Sequence, residues 1–422
     1  MKHYSFLLIL FMALCLSLGN GNKAQAGSLQ TRGVWVSCFE FEELGLKDKT
    51  EAQFRANEIF ATIRANGCNT VYFHVRAYDD AIYPSSVAGF SKYISSDGKA
   101  PGYDPLKILV SLAHSHKLKI HAWMNPYRVS STKILDPASE TTTVRIVNQV
   151  KEIINRYAVD GIHFDDYFYP TNIKKYKKVP AATRRQNVNV MVRKVYQTVK
   201  QKKKSLKFGI SPAGDITYCE KIGADVRTWL SQSGYVDYII PQIYWSNNYI
   251  MSGKKTALFN ERLAKWRQIN KRDVPMYVGL ALYKAGYSLK EDPGWKKSSG
   301  NIASQIRLIR SGNTEGYVFF AYKDLIRSGA AKELKKYYKA IGKITLNKKK
   351  KTLRTGKKYR LKASFWPANL HGKIKWKSSN KKIASISKKG IVKAKKKGTV
   401  RIYAIYGTMK KSCKIIVKKK RK

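Results

Sequence analysis

Short apolar segments alternate with amphipathic, helix-length segments from residue 32 to about residue 340, and this alternation limits the fold more than any other feature. It is the pattern of repeated βα units around a parallel sheet. Eight such units favour a closed (β/α)8 TIM barrel, because an open doubly wound sheet more often has six strands and a glycine-rich phosphate turn, which this sequence lacks. The predicted fold class is therefore α/β. Strands are predicted at 33–37, 70–76, 119–125, 161–165, 207–211, 238–244, 275–282 and 316–322, and helices at 51–66, 104–116, 142–157, 181–203, 221–233, 256–270 and 301–311.

The first residues have the composition of an export signal. Lys2 and His3 precede an apolar run over residues 6–18, and Ala-Gln-Ala at 24–26 matches a cleavage site. A membrane anchor is the alternative, but the apolar run is well short of the ~20 residues that a spanning helix needs. Residues 1–26 are therefore predicted to be a signal peptide, the protein to be secreted or associated with the cell wall, and no membrane span to remain after cleavage.

The last fifth of the chain differs in charge and in pattern from the barrel predicted at residues 29–340. Residues 341–422 contain 30 Lys or Arg and no Asp or Glu, against a net charge of +55 for the whole chain. Short alternating strands at 359–365, 373–377, 383–387 and 399–405 predict a small all-β, immunoglobulin-like sandwich.

The charge of this segment predicts a polyanionic partner, which for an exported protein is an anionic wall polymer, an acidic capsule or extracellular DNA. Specific nucleic-acid binding is disfavoured, because the chain is exported and no nucleic-acid motif accompanies the charge. The alternative explanation is that the basic surface serves only solubility. A monomer is the default expectation.

Cofactor chemistry has little support in the sequence. The cysteines form no C-x-x-C pair, and no histidine cluster has metal-ligand spacing. His74, His121 and His163 lie near the ends of three predicted strands and raise the question of a metal, but no H-x-H follows the first strand, where barrel metallohydrolases usually carry one. We expect no cofactor and no metal.

The carboxyl ends of the barrel strands, where TIM-barrel active sites form, are rich in carboxyl groups and aromatic rings. Glycoside cleavage needs two carboxyl groups at the scissile bond, and aromatic faces suit sugar rings. Asp165 is the strongest candidate, because alternation along the fourth strand turns it toward the barrel axis together with His163, one layer below it. The alternative is a buried carboxylate paired with Arg76 or Arg128.

The second carboxyl group is not fixed by the sequence. Asp166 has the opposite parity, so its side chain is expected to hold a loop or an arginine, with a direct catalytic role as the alternative. Asp215 follows the fifth strand, and Asp80, Glu40 and Asp324 also lie at the catalytic end. The catalytic candidates are Asp165, Asp166 and Asp215.

Several blocks of sequence at successive strand ends resemble the glycosyl hydrolase-like 10 family. They are RGVWV (32–36), NTVYFHVR (69–76), DAIYPS (80–85), PGYDPL (101–106), HAWMNPYR (121–128), DGIHFDDY (160–167) and PQIYW (241–245). The resemblance implies a TIM barrel acting on glycans, and some relatives are similar to envelope enzymes that trim peptidoglycan strands lacking stem peptides. The residues at 376–380, 383–386, 390–392 and 398–402 resemble the bacterial immunoglobulin-like domain of group 2.

Substrate-binding residues are carried over only where these blocks match. They are His74, Arg76, Asp80, Trp123, Asn125, Tyr127, Arg128, Gln242, Tyr244 and Trp245, and the residue pattern of the fourth strand adds His163. The function expected is a secreted glycoside hydrolase that cleaves a cell-envelope or extracellular polysaccharide by carboxylate acid/base catalysis. The alternative is a carbohydrate-binding or adhesive surface protein without catalysis.

Overall fold

The computed structural model describes residues 31–419 apart from 42–43, 96, 297–299, 313 and 315. The predicted signal peptide, residues 1–26, lies outside the described residues. The chain begins with eight parallel barrel strands, and a small hairpin, β7 and β8, is inserted after the sixth. In chain order the strands are β1 (Thr31–Val36), β2 (Thr70–Arg76), β3 (Lys119–Met124), β4 (Gly161–Phe164), β5 (Lys207–Ile210), β6 (Tyr238–Ile239), β7 (Tyr249–Met251), β8 (Lys254–Thr256), β9 (Tyr277–Leu280) and β10 (Gly316–Phe319).

The eight strands close into a barrel. Their hydrogen-bonded order is β6-β5-β4-β3-β2-β1-β10-β9. Isolated parallel bridges from Ile239 to Met276 and from Gln242 to Gly279 join the two ends of this sheet. The predicted TIM barrel is therefore confirmed.

Helices cover the outside of the barrel, and the sequence specifies where several of them begin. Asp48, Asp104 and Ser139 each accept a hydrogen bond from a backbone N–H in the first turn of the helix that follows. The helices are α1 (Lys49–Ala65), α2 (Pro105–Ser115), α3 (Glu140–Arg156), α4 (Lys174–Lys177), α5 (Ala181–Lys202), α6 (Ile216–Lys221), α7 (Val226–Ser231), α8 (Leu258–Ile269), α9 (Asn301–Arg310) and α10 (Ala331–Ile341).

Two predicted elements of the barrel differ from the structure. The single helix expected at 221–233 is replaced by α6 and α7, because Gly223 adopts a left-handed conformation and Asp225 caps a new helix. The sixth strand, expected to reach residue 244, is regular only over β6. In its continuation, Gln242 forms one isolated bridge to Ala213 on one side and one to Gly279 on the other.

Aromatic and histidine side chains fill the barrel interior, where branched aliphatic residues usually dominate. Trp35, Tyr72, Trp123 and Tyr238 form a separate buried cluster there. Glycines on adjacent strands make the space for these rings. A Cβ on Gly209 would lie 2.3 Å from the ring of Tyr238.

A chain of hydrogen bonds links these interior side chains. The indole nitrogen of Trp35 donates to Nε2 of His163 at 3.1 Å, which leaves the proton of the neutral imidazole on Nδ1. That Nδ1 lies 3.2 Å from the hydroxyl of Tyr238, which in turn lies 2.9 Å from Nδ1 of His121. Burial lowers the pKa of His163 well below its usual value, so the ring stays neutral in this chain.

The segment after α10 forms the second unit, which we call the β-module. Its strands make sheets in the orders β12-β19-β18-β15, β13-β17-β16 and β11-β14 around a small core. The strand expected at 359–365 is divided in two, because β13 and β14 pair with different sheets. The strands are β11 (Lys343–Leu346), β12 (Lys350–Arg354), β13 (Lys358–Arg360), β14 (Ala363–Trp366), β15 (Lys375–Ser378), β16 (Ala384–Ile386), β17 (Ile391–Ala394), β18 (Gly398–Tyr406) and β19 (Met409–Lys418).

The β-module packs against the end of the barrel where β1 and β2 begin. Leu370 belongs to the hydrophobic core of the barrel, and the backbone N–H of Asn369 donates to the carbonyl of Ala65 at 3.2 Å. The guanidinium of Arg32 lies 4.9 Å from the ring centre of Trp366. The opposite end of the barrel is therefore left clear of the module.

Two further features concern the helices and the cysteines. Within the described part of the chain, no helix is both long and apolar enough to cross a bilayer. Its four cysteines, Cys38, Cys68, Cys219 and Cys413, are buried as free thiols.

We expect Gly209→Ala to destabilise the barrel by about 1–3 kcal/mol, because the added methyl group forces the ring of Tyr238 out of a packed interior. Gly89→Ala is the matched control, since a Cβ there meets no atom within 4 Å, and a change within about 0.5 kcal/mol is expected. Chemical denaturation measures both. Equal effects of the two substitutions would contradict the packing argument.

Candidate active site

The carboxyl ends of the barrel strands surround a pocket of about 170 Å³. Seven of the eight barrel strands, or the turns after them, contribute to its wall. The lining residues are Trp35, Ser37, Cys38, Phe39, His74, Tyr78, Trp123, Asn125, Arg128, Asp165, Asp166, Tyr167, Ser211, Gln242, Tyr244 and Phe320.

Asp165 lies in this pocket directly after β4 and is only 4% exposed. Its carboxylate accepts a hydrogen bond from the backbone N–H of Tyr167 at 3.2 Å, and no ion pair of the described residues includes it. Arg76, one of its two expected partners, binds Asp79 instead. Burial, followed by the charge of Asp166, raises the pKa of Asp165 well above its usual value. The carboxyl group is therefore suited to carry a proton.

Asp166 also lines the pocket, although its parity favoured a position away from the axis. Its side chain is more exposed than that of Asp165. Burial raises its pKa to about 6, while a hydrogen bond with Gln242 and the charge of Arg128 act in the opposite direction. Within the lining, these two adjacent residues supply all the carboxyl groups.

Aromatic rings make up much of the wall. Trp35, Trp123 and Tyr244 are buried or partly buried at the floor, and Tyr167 and Phe39 are 47% and 64% exposed at the rim. Aromatic faces of this kind pack against the C–H faces of sugar rings. The arrangement fits a chain of sugars that enters from solvent and reaches the carboxyl pair.

His74 stacks on Trp123, with ring centres 3.9 Å apart and planes inclined by 3°. Its Nδ1 accepts the backbone N–H of Cys38 at 3.3 Å, so the neutral ring carries its proton on Nε2. Burial lowers the pKa of His74 to about 3. This histidine therefore holds the turn after β1 and stays uncharged at neutral pH.

Arg128 extends over the pocket between two tyrosines. Its guanidinium carbon lies 4.1 Å from the ring centre of Tyr167 and 4.9 Å from that of Tyr78. Its charge lowers the pKa of both Asp165 and Asp166, although burial outweighs this effect. The structure thus brings together His74, Trp123, Asn125, Arg128, Asp165, Asp166, Gln242 and Tyr244 of the predicted set.

Other predicted site residues lie behind the pocket wall. Arg76 is buried, donates to the carbonyl of Asn125 and forms an ion pair with Asp79 at 2.7 Å. Asp80 accepts the backbone N–H groups of Ala77 and Tyr78 and shapes the turn after β2. These contacts support the loop rather than a ligand.

Tyr127, Trp245 and His163 are also placed outside the lining. Tyr127 is fully buried in the hydrophobic core, and Trp245 packs against that core with Arg262 over its ring. His163 lies one layer below the pocket and holds Trp35 through its Nε2. Its influence on the site therefore passes through Trp35.

The structure does not bring Asp215 into the pocket. Its carboxylate accepts the N–H of Tyr218 at 2.8 Å as the N-cap of α6. It also forms an ion pair with Arg262 at 2.7 Å. Both interactions are those of a residue that stabilises a helix start.

Two further carboxyl groups considered from the sequence are buried in supporting contacts. Glu40 accepts hydrogen bonds from Ser37 and from the backbone N–H of Lys323, which joins the turns after β1 and β10. Asp324 forms an ion pair with Arg327 at 2.8 Å. Neither lines the pocket.

Sequence reasoning missed several residues of the wall. Ser37, Cys38 and Phe39 follow β1 directly, Tyr78 lies in the turn after β2, and Phe320 follows β10. Their positions immediately after barrel strands were a usable signal. We overlooked them because hydroxyl, thiol and phenyl groups at strand ends also occur in ordinary cores.

Nothing in the described ranges suggests a metal centre: no three His, Cys, Asp or Glu side chains come close enough together to hold an ion. His74 is in the pocket wall, whereas His121 and His163 are deeper and bonded to Tyr238.

Comparison with known proteins agrees with this architecture. The glycosyl hydrolase-like 10 family model matches residues 30–141 and 129–297, and the model of the bacterial Ig-like domain (group 2) matches 340–417. The chain is 30% identical to glycosyl hydrolase YngK of Bacillus subtilis over 361 residues, covering 70% of this chain and 69% of that protein. It is 32% identical to glycosyl hydrolase DigH of Escherichia coli over 352 residues, covering 65% and 78%.

Among solved structures, the glycoside hydrolase domain of PgaB (BpsB) from Bordetella bronchiseptica matches with a TM-score of 0.51 at 11% identity. The match covers 72% of this chain and 98% of that domain, and it shows a shared fold. The barrel and the family model together place the protein in the glycosidase class. The chain belongs to the glycosyl hydrolase-like 10 family and carries a C-terminal bacterial Ig-like domain.

We expect Asp165→Asn to stabilise the fold at neutral and alkaline pH. Above about pH 4 the unfolded carboxyl group has lost its proton, whereas the native one retains it up to its raised pKa, so wild-type stability falls as pH rises through that window. An asparagine does not titrate. The melting temperature of the variant should therefore exceed that of wild type at pH 8, and the difference should shrink toward pH 4. If the difference in melting temperature did not depend on pH, the raised pKa of the buried Asp165 carboxyl group would be contradicted.

Proposed function

We propose that the barrel hydrolyses glycosidic bonds of a cell-envelope or extracellular polysaccharide, with Asp165 and Asp166 as the catalytic carboxyl pair. The observation that carries this proposal is the buried Asp165 at the floor of an aromatic pocket, with Asp166 beside it. Two carboxyl groups with separated proton affinities are what acid/base cleavage of a glycoside requires. A carbohydrate-binding barrel has no need of a desolvated pair of this kind.

The different environments of the two carboxyl groups suit them to different catalytic roles. Asp165, whose pKa is raised most, donates its proton to the oxygen of the leaving sugar as that bond breaks. Asp166, with a pKa near 6, is ionised at neutral pH and supplies the negative charge for attack on the sugar carbon or for activation of water. Trp35, Trp123 and Tyr244 hold the sugar ring whose glycosidic bond is cleaved.

Peptidoglycan glycan strands are the first substrate to test. The family relatives YngK and DigH are named glycosyl hydrolases, and the pocket offers aromatic platforms together with hydrogen-bonding groups. The N-terminal sequence, with its apolar run and Ala-Gln-Ala site, supports export. A secreted or wall-associated enzyme would meet this polymer directly.

Release of reducing ends from peptide-free peptidoglycan and from a panel of neutral and acidic polysaccharides tests the proposal. We expect Asp165→Asn to lower kcat by about 10²- to 10⁴-fold on the polymer that wild type cleaves, since a general acid contributes that much. Asp215→Asn is the matched control. Asparagine caps helices as well as aspartate does, and only the ion pair with Arg262 is lost.

Activity of Asp215→Asn close to wild type would agree with the carboxyl pair named here. An equal loss in both variants would show that the effect is not specific to Asp165 and would contradict its role as the general acid. Binding of a glycan by wild type without any cleavage would favour the carbohydrate-binding alternative.

We propose in addition that the β-module binds an anionic wall polymer through the outer face of its four-stranded sheet. Cationic residues point away from the module core on each of β12, β19 and β18, and Lys350, Lys414 and Arg401 lie side by side on these three adjacent strands. Lys418 and Arg354 form a second pair of the same kind.

Like charges directly opposite each other on a sheet are destabilising, and neighbouring strands are only ~4.8 Å apart. None of the ion pairs found among residues 31–419 includes a residue of the module, which itself contains no acidic residue. A bound polyanion would compensate this repulsion. Its linear array of charges would also match the rows of cations across the strands.

Replacing Lys350, Arg401 and Lys414 together by Gln should weaken binding to glycerol-phosphate teichoic acid. The slope of log K against log salt should fall by about two, because three phosphate contacts are lost and each displaces ~0.7 of a counterion on a single-stranded polyanion. The triple Gln variant of the exposed Lys382, Lys388 and Lys389 is the control of equal charge. If both variants weaken binding equally, the outer face of the four-stranded sheet is not the binding surface. Tighter binding to DNA than to teichoic acid would identify nucleic acid as the ligand of the module.

A further inference from the structure

A second cavity, which we call the basal cavity, lies at the amino ends of the barrel strands, at the end opposite the catalytic pocket. Its volume is about 270 Å³, against about 170 Å³ for the catalytic pocket, and the two share no lining residue. Within the part of the chain that the structure describes, its wall comes from the barrel alone. Seven of the eight barrel strands contribute a residue at or next to their first position.

Three nitrogen-bearing side chains of this wall lie on the inner face of the barrel. Lys119 and His121 are two residues apart on β3, so they point to the same side of the strand. His121 is in register with Gly161 of β4, which is in register with Lys207 of β5. Because Gly161 has no side chain, the space between His121 and Lys207 stays open across two strand spacings, ~9.5 Å.

The hydrogen-bond chain of the barrel interior determines which nitrogen of His121 carries a proton. Nδ1–H of His163 donates to the hydroxyl oxygen of Tyr238. The proton of that hydroxyl then goes to Nδ1 of His121 at 2.9 Å, since its other acceptor, the carbonyl of Ile162, is 3.5 Å away. Burial lowers the pKa of His121 to about 4, so the ring is neutral at pH 7 and its own proton is on Nε2.

This Nε2–H group has no acceptor among the hydrogen bonds found between described residues, although His121 is only 5% exposed. Because Nδ1 is held by Tyr238 on the interior side, Nε2 is directed to the basal cavity that His121 lines. A buried donor without an acceptor is costly, and a bound ligand with an acceptor oxygen would remove that cost.

The two carboxylates of the wall are bonded to groups on the outside of the barrel. Asp160 accepts a backbone N–H at 2.9 Å and lies 3.0 Å from Nε2 of His114 on α2. Asp237 accepts a backbone N–H at 2.8 Å and forms an ion pair with Lys200 on α5 at 2.5 Å. Both residues have the opposite strand parity to the three nitrogen-bearing side chains, which explains why their oxygens are turned outward.

The ammonium groups of Lys119 and Lys207 are not neutralised in this way. No ion pair within the described ranges includes either of them. Lysines bind phosphate as point charges, whereas planar carboxylates are better matched by the guanidinium fork, and the described lining of the basal cavity contains no arginine. Two ammonium groups and one imidazole N–H suit an anion with several acceptor oxygens.

We propose that the basal cavity binds the phosphate group of a small phosphate ester, with Lys119, Lys207 and Nε2–H of His121 as its ligands. The cavity is larger than the catalytic pocket and has room for more than a phosphate ion. The ring of Tyr277 and the hydroxyl of Ser205 lie in the same wall and suit a sugar or polyol part. This site is independent of the hydrolysis proposed at the other end of the barrel.

Glycerol 3-phosphate and inorganic phosphate are the probes, and glycerol and acetate are the neutral and carboxylate comparisons. Because the lysines of the β-module also attract anions, the measurement must report on the basal cavity itself. The Nε2 proton of His121 does so in NMR spectra of the 15N-labelled protein, where its loss in His121→Gln identifies it. We expect glycerol 3-phosphate to shift this resonance and to slow its exchange with water, and glycerol and acetate to leave it unchanged.

The double substitution Lys119→Gln and Lys207→Gln should weaken this binding by about 10- to 100-fold, because hydrogen bonds to a charged group are lost. Both lysines are exposed at strand starts, so the fold should persist. The double substitution Lys133→Gln and Lys290→Gln is the control. It removes the same charge from exposed positions that line neither cavity, and it should bind as wild type does.

Three outcomes would overturn the proposal. Equal weakening in both double variants would show that the phosphate responds to net charge rather than to the basal cavity. Calorimetric binding of glycerol 3-phosphate without any change at His121 would place the ligand on another surface. A shift of the His121 resonance by acetate as large as the shift by glycerol 3-phosphate would contradict a phosphate site, and tighter binding of inorganic phosphate than of the ester would contradict the ester.

Discussion

The hydrogen-bond chain from Trp35 through His163 and Tyr238 to His121 runs across the barrel interior and supports the floor of the pocket. A barrel filled with aliphatic side chains would hold its strands equally well, but it could not orient an indole at the floor. In this chain the indole of Trp35, both ring nitrogens of His163 and the hydroxyl of Tyr238 have partners, which matters because an unpaired buried group is expensive. This requirement makes the positions of the interior rings mutually dependent, and the close approach of Tyr238 to Gly209 is one result.

The same dry interior determines the chemistry above it. Asp165 directly follows the strand that carries His163, and its buried carboxyl group accepts a hydrogen bond from the backbone N–H of Tyr167. Removal of water raises its pKa, and the adjacent Asp166 raises it further. Around the pocket, Glu40, Asp80 and Asp324 are bonded to turns, which fixes the wall while the carboxyl pair stays available. The carboxyl groups that fix the turns are therefore different from the two that line the pocket.

The β-module meets the barrel at the end opposite the pocket, through Leu370 and Trp366. This placement keeps the positive charge of the β-module away from the carboxyl pair, whose raised pKa values come chiefly from burial. It also leaves the pocket clear of the β-module.

The sequence by itself determined the barrel, the module and the position of Asp165, because hydrophobic period and strand parity are local properties that burial then fixes. It also predicted that Trp123, Arg128 and Gln242 lie at strand ends, and they do line the pocket. For the second carboxyl group it was misleading, since strand parity turned Asp166 away from the axis while Asp215, which also follows a strand, remained a candidate. Only the tertiary structure showed that Arg262 and a helix N-terminus bind Asp215, while Asp166 faces the pocket. Those partners come from distant parts of the chain, and which carboxyl group they neutralise depends on three-dimensional packing that no local pattern records.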